Sequence, residues 1–239
     1  MLAKFWEKDN MIKLGIIGGM SWESTITYYQ KINEIIGEIP GGTNSADILI
    51  RSLNLKTIEE HQDRGEWNDV ANILCSAAED LEQTDVDFIL MASNTVHKVY
   101  DKVKDAVDIP VLHIAEPTVE AIKKAGFSTI GLLGTRHTME GDFLKEKLNA
   151  AGIQVVVPRK EQFDVIHKSI FEEACLGKVC PETKKMFIDI IEDLKSRCAE
   201  GVILGCTELG LLIKNEDSCL PLFDTALLHA QKAAEEIVK

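Results

Sequence analysis

Two short polar segments of the sequence each follow an apolar run, and each begins with a residue that can carry a proton. They are Ser93-Asn94-Thr95 and Cys206-Thr207-Glu208. In parallel α/β sheets, ligands bind beyond the carboxyl ends of strands, where helix N-termini offer unpaired N–H groups. A hydroxyl and a thiol placed there could exchange a proton on the two faces of one carbon atom. A helix N-terminus also lowers a thiol pKa, which predicts a Cys206 thiolate accessible near neutrality.

Ser93 and Cys206 occupy equivalent positions in an internal repeat. Three landmarks recur in the same order, separated by 116, 113 and 111 residues. The matched pairs are 14–18 with 130–134, 89–93 with 202–206, and 109–112 with 220–223. Fixed order and slowly shrinking separation indicate that two related halves arose by duplication. A pseudo-two-fold between the halves would place Ser93 and Cys206 on opposite sides of a bound molecule.

The elements that must position these residues follow the pattern of βα units, because short β-branched runs alternate with longer amphipathic stretches. We predict an α/β fold of two similar Rossmann-like domains with parallel sheets and an active site in the cleft between them. The first domain covers 11–113 plus a C-terminal helix at 224–239, the second covers 114–223, and 1–10 form an N-terminal extension. Predicted strands are 12–17, 47–52, 87–92, 110–113, 128–133, 154–157, 201–205 and 221–223. Predicted helices are 23–37, 66–82, 96–106, 116–125, 139–150, 160–175, 182–199 and 224–238.

Composition excludes several classes of protein. The 239 residues include 39 acidic and 26 basic side chains, so the net charge is −13, and no Lys/Arg cluster offers a site for nucleic acid or an anionic membrane. Apolar runs are too short for a membrane-spanning helix. The six cysteines form no C-x-x-C pair, which argues against structural zinc and favours a reducing, cytoplasmic location. Five of them, all except Cys206, are predicted to be small core residues.

Four separated motifs resemble the aspartate/glutamate racemase family across nearly the whole chain from Met11. They are Gly18-Gly19-Met20-Ser21-Trp22-Glu23-Ser24-Thr25, Ser93-Asn94-Thr95-Val96-His97, Gly134-Thr135-Arg136-His137-Thr138-Met139 and Gly205-Cys206-Thr207-Glu208-Leu209. The resemblance implies a cofactor-independent amino-acid racemase in which two residues flank Cα, one removing a proton and the other returning it. It also implies a possible homodimer.

Members of the family usually carry cysteine at both catalytic positions, whereas this chain has Ser93 at the first and Cys206 at the second. A hydroxyl without an activating base donates a proton more readily than it abstracts one. We therefore expect Cys206 to deprotonate the substrate and Ser93, or water beside it, to reprotonate it, with unequal activity on the two enantiomers. Glu208 is placed either to begin a helix or to polarise Cys206.

Recognition of an acidic amino acid requires groups for two carboxylates. Asn94, Thr95 and Thr207 suit the α-carboxylate, Ser21 adds a donor, and the resemblance assigns Arg51 and Lys168 to the distal carboxylate. Two further residues, Met20 and Thr135, lie in segments that follow strands and complete the predicted substrate-binding set.

Alternative functions remain open on the sequence. One is a one-base decarboxylase or cis–trans isomerase of a small dicarboxylate. Another is an inactive dicarboxylate-binding form, in which serine replaced a catalytic cysteine naturally or by engineering. No dinucleotide or phosphate-loop fingerprint is present, and no metal-ligand cluster is visible. Pyridoxal phosphate would need a lysine at a site that is otherwise built of hydroxyls and a thiol, so we predict neither cofactor nor metal.

Overall fold

The computed structural model describes residues 12–40, 42–178 and 180–239, and the predicted extension at 1–10 lies outside these ranges. The chain divides into two compact units. Unit 1 contains the described part of Met1–Ala92 with Val99–His113 and His229–Lys239, and unit 2 contains Ser93–Lys98 with Ile114–Leu228. The predicted boundaries differ from this division, because they assign 93–98 and 224–228 to the first domain. Within the described ranges, no helix is both long and apolar enough to cross a bilayer.

Unit 1 is built on a four-stranded parallel sheet of order β2-β1-β3-β4. Its strands are β1 (Leu14–Gly18), β2 (Ile48–Ser52), β3 (Phe88–Met91) and β4 (Val111–Leu112). The helices are α1 (Trp22–Gly37), α2 (Leu55–Asp63), α3 (Trp67–Glu82) and α4 (Tyr100–Asp105). Helix α11 (Thr225–Ile237) begins in unit 2, and its residues from His229 onward belong to unit 1.

Unit 2 has a second four-stranded parallel sheet, of order β6-β5-β7-β8. Its strands are β5 (Thr129–Gly134), β6 (Gln154–Val156), β7 (Gly201–Gly205) and β8 (Leu222–Asp224). The helices are α5 (Ala115–Ala125), α6 (Arg136–Glu140), α7 (Phe143–Ala150), α8 (Phe163–Glu172), α9 (Pro181–Ser196) and α10 (Leu209–Leu212). One apolar cluster includes residues of α8 and α9, and another includes residues of α5 and α7.

The strand registers of the two sheets agree with the internal repeat. Gly15 lies opposite Ile89 in unit 1, and the repeat equates these residues with Gly131 and Val202, which lie opposite each other in unit 2. The same holds for the last pair of strands, where Ile89 pairs with Val111 and Val202 pairs with Leu222. Residues that are equivalent in the repeat therefore occupy equivalent positions in the two sheets. The predicted α/β class with two similar halves is confirmed.

The central strands are buried along nearly their whole length, which explains why their sequences are near-continuous apolar runs. Every residue of β1, β3 and β7 is buried, and so is every residue of β5 after the partly buried Thr129, whereas the edge strand β2 is partly to fully exposed. Each of these central strands leads into a polar segment, and after β1 and β5 a small residue of that segment caps the next helix. Ser21 caps α1 by accepting a hydrogen bond from the Ser24 N–H at 3.3 Å, and Thr135 caps α6 in the same way.

The helices differ more from the sequence-based prediction than the strands do. The predicted helix 139–150 is two helices, because Gly141 adopts an extended conformation between α6 and α7. The predicted helix 96–106 begins as a 3₁₀ helix at Thr95–Val99 and becomes α-helical only at Tyr100. Helix α2 is absent from the prediction because only two of its nine residues are buried, which leaves a weak apolar stripe.

Candidate active site

Cys206 follows the last residue of β7 and is hydrogen-bonded to a carboxylate. Its Sγ donates to Oε2 of Glu208 at 2.9 Å, and the Thr207 hydroxyl donates to the same oxygen at 2.8 Å. All three residues are buried, and Cys206 also belongs to the apolar cluster that includes residues of α8 and α9. The buried thiol therefore has a carboxylate oxygen as its proton-accepting neighbour.

The surroundings of Cys206 oppose formation of a free thiolate. Burial raises the pKa of this thiol well above its usual value, and the negative charge of Glu208 raises the pKa further. The expectation from sequence that a helix N-terminus lowers this pKa is wrong. Helix α10 has only four residues and begins at Leu209, so its dipole is small beside the cost of desolvating a charge.

The other five cysteines differ from Cys206 in exposure. Cys75, Cys175 and Cys180 are partly buried, while Cys198 and Cys219 are exposed, so the prediction that all five lie in the core is wrong. Cys198 follows α9 in a left-handed turn with a φ of 70°, and Cys219 precedes β8. Among the described residues, Cys206 is the one buried cysteine, which distinguishes it physically from the rest.

Asn94 has one satisfied and one unsatisfied side-chain atom. Its Nδ2 donates to Oγ1 of Thr225 at 2.9 Å, and the Thr225 hydroxyl donates in turn to the Leu204 carbonyl at 2.9 Å. Because that hydroxyl has a single hydrogen, it must accept from Asn94, and this fixes the orientation of the amide. Oδ1 of Asn94 is buried with no hydrogen-bond partner in the part of the chain that the structure describes. The unsatisfied atom is an acceptor, which suits an ammonium group and not a carboxylate.

Three buried threonine hydroxyls form a triangle near the start of α6. Oγ1 of Thr95 lies 3.2 Å from that of Thr135 and 3.4 Å from that of Thr138, and the last two hydroxyls are 3.2 Å apart. Each hydroxyl can rotate to donate its hydrogen to an incoming anion. Thr95 and Thr135 belong to the predicted set, whereas Thr138 was not assigned to binding. The sequence feature that could have identified Thr138 is its position three residues after Thr135, which caps α6.

His97 holds the backbone of the Ser93 segment. The Ile114 N–H donates to Nε2 at 3.2 Å, so the ring proton lies on Nδ1, which donates to the Ser93 carbonyl at 2.8 Å. Ser93 itself is half-buried. Its hydroxyl makes no hydrogen bond to a residue of the described ranges.

The remaining predicted site residues have individual surroundings. Met20 and Ser21 are buried in unit 1, where the Ser21 carbonyl accepts a hydrogen bond from the Thr25 hydroxyl at 2.9 Å. Arg51, also in unit 1, is exposed and pairs with Asp80 at 3.0 Å. Lys168 is exposed on α8 in unit 2. The assignment of these four residues to substrate binding stays a prediction.

One group of side chains has the composition of a metal site. The ligand atoms of His61, Glu66 and Asp69 lie within 4.8 Å of one another. The Arg64 guanidinium donates to Glu66 at 2.9 Å and lies 3.3 Å from Nδ1 of His61. A fixed positive charge among these atoms disfavours a cation, so the group is explained as a surface ion pair.

A buried thiol lies against a carboxylate near the end of a parallel sheet, in the same unit as a triangle of buried hydroxyls, and these are the kinds of group that an α/β enzyme uses for proton transfer on a small polar substrate. The chain belongs to the Asp/Glu/Hydantoin racemase family, whose model matches residues 17–233. It is therefore an amino-acid racemase, and the resemblance seen in the sequence motifs is confirmed.

Relatives support this family over nearly the full chain. The broad specificity amino-acid racemase RacX of Bacillus subtilis is 24% identical over 219 residues, which cover 91% of this chain and 95% of RacX. A candidate Asp/Glu racemase from Yersinia pestis is 40% identical, with a TM-score of 0.88 over 96% of this chain and all of the other. An aspartate racemase homologue from Pyrococcus horikoshii is 37% identical, with a TM-score of 0.82 over the same shares.

Proposed function

We propose that this racemase inverts an acidic amino acid, aspartate or glutamate, without a cofactor. The observation that carries the proposal is the buried Cys206 thiol held 2.9 Å from a carboxylate oxygen of Glu208. Similarity to the aspartate racemase homologue from Pyrococcus horikoshii supports the choice of substrate. Cys206 removes the Cα proton, and Ser93, or water beside it, returns one from the opposite face.

The turnover number differs between the two directions of the reaction. The Ser93 hydroxyl makes no hydrogen bond to a residue of the described ranges, so it donates a proton and abstracts one poorly. The enantiomer whose Cα proton faces Cys206 is consequently the better substrate.

Substrate recognition in unit 2 follows from which polar atoms are already satisfied. Oδ1 of Asn94 accepts a hydrogen bond from the substrate ammonium. The hydroxyls of Thr95 and Thr135 turn toward the α-carboxylate, and the exposed Lys168 supplies a cation for the distal carboxylate. Thr207 serves the site through Glu208, because its hydroxyl hydrogen is directed to that carboxylate.

Hydrogen–deuterium exchange at Cα in D₂O tests the function with each enantiomer of aspartate and glutamate. We expect exchange with inversion for at least one amino acid, faster from one enantiomer than from the other, and loss of both in Cys206→Ala. No exchange with any of the four compounds would contradict racemisation. Full activity in Cys206→Ala would contradict the assignment of proton removal to Cys206.

Ser93→Cys tests the assignment of the second position. A thiol can abstract a proton far more readily than a hydroxyl, so the variant should raise turnover of the poorer enantiomer. The exposed Ser196→Cys change is the matched control and should leave both directions unaltered. Equal rates in Ser93→Cys and the native chain would place the proton donor elsewhere.

We also propose that the chain forms a homodimer. The proposal rests on the resemblance of its motifs to the racemase family and assigns no surface to the contact.

A further inference from the structure

Arg136 has a side-chain donor that no hydrogen bond satisfies. Its Nε–H is buried and has no partner among the described residues, although the side chain as a whole is 42% exposed. A buried donor without an acceptor incurs a desolvation cost, which a bound anion can remove. The substrate contacts proposed so far give this guanidinium no role.

Contacts with α8 fix the position of Arg136 at the start of α6. Its backbone N–H donates to Nδ1 of His167 at 3.3 Å, and the rings of His137 and His167 pack edge to face with their centroids 6.0 Å apart. Nη2 of Arg136 contacts Oδ1 of Asp164, which is the second residue of α8. The guanidinium is therefore held at the side of α8 that carries Asp164.

This position makes Arg136 a neighbour of two groups already proposed to bind substrate. Lys168 lies four residues after Asp164, so both side chains lie on one face of α8. Thr135 directly precedes Arg136, and its buried hydroxyl belongs to the threonine triangle. A cation that neighbours the groups proposed for the α-carboxylate and for the distal carboxylate is suited to a molecule with two carboxylates.

We propose that Arg136 is a specificity-determining residue, which binds the distal carboxylate of the substrate together with Lys168 and thereby selects acidic over neutral amino acids. This inference rests on the proposed function and names the group that recognises the substrate class. A guanidinium offers a planar fork of donors that matches the geometry of a carboxylate, whereas the ammonium of Lys168 adds a compact charge.

Asp164 competes with the substrate for this guanidinium. Its side chain is 77% exposed, and an ion pair that is largely in water contributes little to the stability of the fold. The contact with Asp164 also leaves the Nε–H of Arg136 without an acceptor. A substrate carboxylate that reaches Nε can therefore replace Asp164 at small cost, because it satisfies a donor that Asp164 does not.

Arg136→Gln removes the charge and keeps a polar side chain. KM for the better enantiomer of the acidic substrate should rise at least about tenfold, because a charge-assisted hydrogen bond is lost. The turnover number should change less, since the distal carboxylate lies away from the reacting carbon. Arg136→Lys restores the charge and should recover part of the affinity. Arg159→Gln makes the same change at another arginine of unit 2 that pairs with an aspartate, Asp193, and should match the native enzyme.

Asp164→Asn separates recognition from structural support. Loss of the competing carboxylate leaves the guanidinium to the substrate, so KM should fall in this variant. If the ion pair only supported the fold, Asp164→Asn would instead raise KM as Arg136→Gln does. Asp193→Asn, at the matched ion pair, should leave KM unaltered. A KM that does not fall in Asp164→Asn, or a native KM in Arg136→Gln, would overturn the inference.

Thermal unfolding in the presence of succinate tests the contact without turnover. Succinate has two carboxylates and no ammonium, so its binding should raise the unfolding midpoint of the native chain. Succinamate, in which an amide replaces one carboxylate, should raise it less. The succinate shift should be lost in Arg136→Gln and kept in Arg159→Gln.

The outcomes of this binding experiment separate the two proposals. Equal succinate shifts in the native chain and in Arg136→Gln, or no shift in the native chain, would overturn the inference even if aspartate and glutamate exchanged normally. A shift that depends on Arg136, without exchange of either amino acid, would contradict only the proposed function.

Discussion

Asn94 illustrates what one half-satisfied residue reveals. A buried amide that makes a hydrogen bond with one atom and none with the other incurs a desolvation cost that a ligand can remove. The chain from Asn94 through Thr225 to the Leu204 carbonyl fixes which atom is left, and that atom is Oδ1. The sequence predicts that Asn94 binds substrate, whereas only the contact with Thr225, 131 residues away, identifies the side-chain atom that is left for a ligand.

The replacement Asn94→Leu removes the acceptor while keeping a similar volume. A hydrogen bond to a charged group contributes about 1.5–3 kcal/mol, so KM for the better substrate should rise roughly 10- to 150-fold. The variant Thr225→Val keeps Oδ1 and should raise KM less. Asn149→Leu, on the exposed side of α7, controls for the chemical change. Steady-state kinetics measure these values, and an unaltered KM in Asn94→Leu would rule out this contact.

At the scale of elements, the sequence predicts strands better than helices. All eight strands are present within two residues of their predicted ends, because buried parallel strands require apolar, β-branched runs that stop at small or polar residues. Helix α2 has few buried residues and helix α10 has only four residues, so neither has a clear apolar periodicity in the sequence. The Cys206–Glu208 contact depends on side-chain directions in the short turn before α10, which composition and periodicity do not specify.

The turn between β1 and α1 requires glycine at position 19. Gly19 has a φ of 84°, and a Cβ there would overlap the backbone N and O atoms of Leu53. Gly126, with a φ of 77°, has open space around it and isolates the cost of the left-handed conformation. Urea unfolding should show a loss of about 1–2 kcal/mol for Gly126→Ala. Gly19→Ala should lose about 2 kcal/mol more, and equal losses would mean that the turn can relax.

Asp224 caps α11 and gives the fold a pH dependence. Its Oδ1 accepts from the Ala226 and Leu227 N–H groups at 2.9 and 3.1 Å, while burial raises its pKa to about 6. Because the folded pKa exceeds the unfolded one, ionised Asp224 destabilises the fold above pH 6, and protonation relieves this as the pH falls toward 4.

Asp224→Asn keeps the capping oxygen and cannot ionise. Thermal unfolding should show the variant more stable than the native chain at pH 8, by roughly 1–3 kcal/mol, with the difference vanishing near pH 4. Asp217→Asn provides the opposite case, since the ion pair with Lys184 lowers the pKa of Asp217. That variant should lose stability at pH 8. A gain for Asp224→Asn that is equal at both pH values would exclude the titration.

At the scale of the whole molecule, the repeat is visible in sequence and in structure. The same three landmarks that recur in the sequence fix the same strand order and register in both units. The repeat therefore places Ser93 and Cys206 near the carboxyl ends of the equivalent strands β3 and β7. Because these equivalent positions carry different residues, we expect the proposed proton transfers at them to differ.

Assembly is a property of the whole chain. Light scattering coupled to size exclusion should give a mass twice the 26.5 kDa of one chain if the proposed homodimer forms. Because subunit association depends on concentration, the mass should stay doubled on dilution through the micromolar range for a stable dimer. A mass of one chain at all concentrations would contradict the proposal.

The six cysteines differ in exposure, and this difference should determine the order in which they react with electrophiles. Alkylating agents and oxidants react with thiolates that they can reach, so Cys198 and Cys219 should be consumed first, while Cys206 is shielded by burial and by its un-ionised state. The thiol assigned to catalysis is thus the least vulnerable in the described chain. Oxidants should therefore modify the exposed cysteines before the thiol that we propose for catalysis.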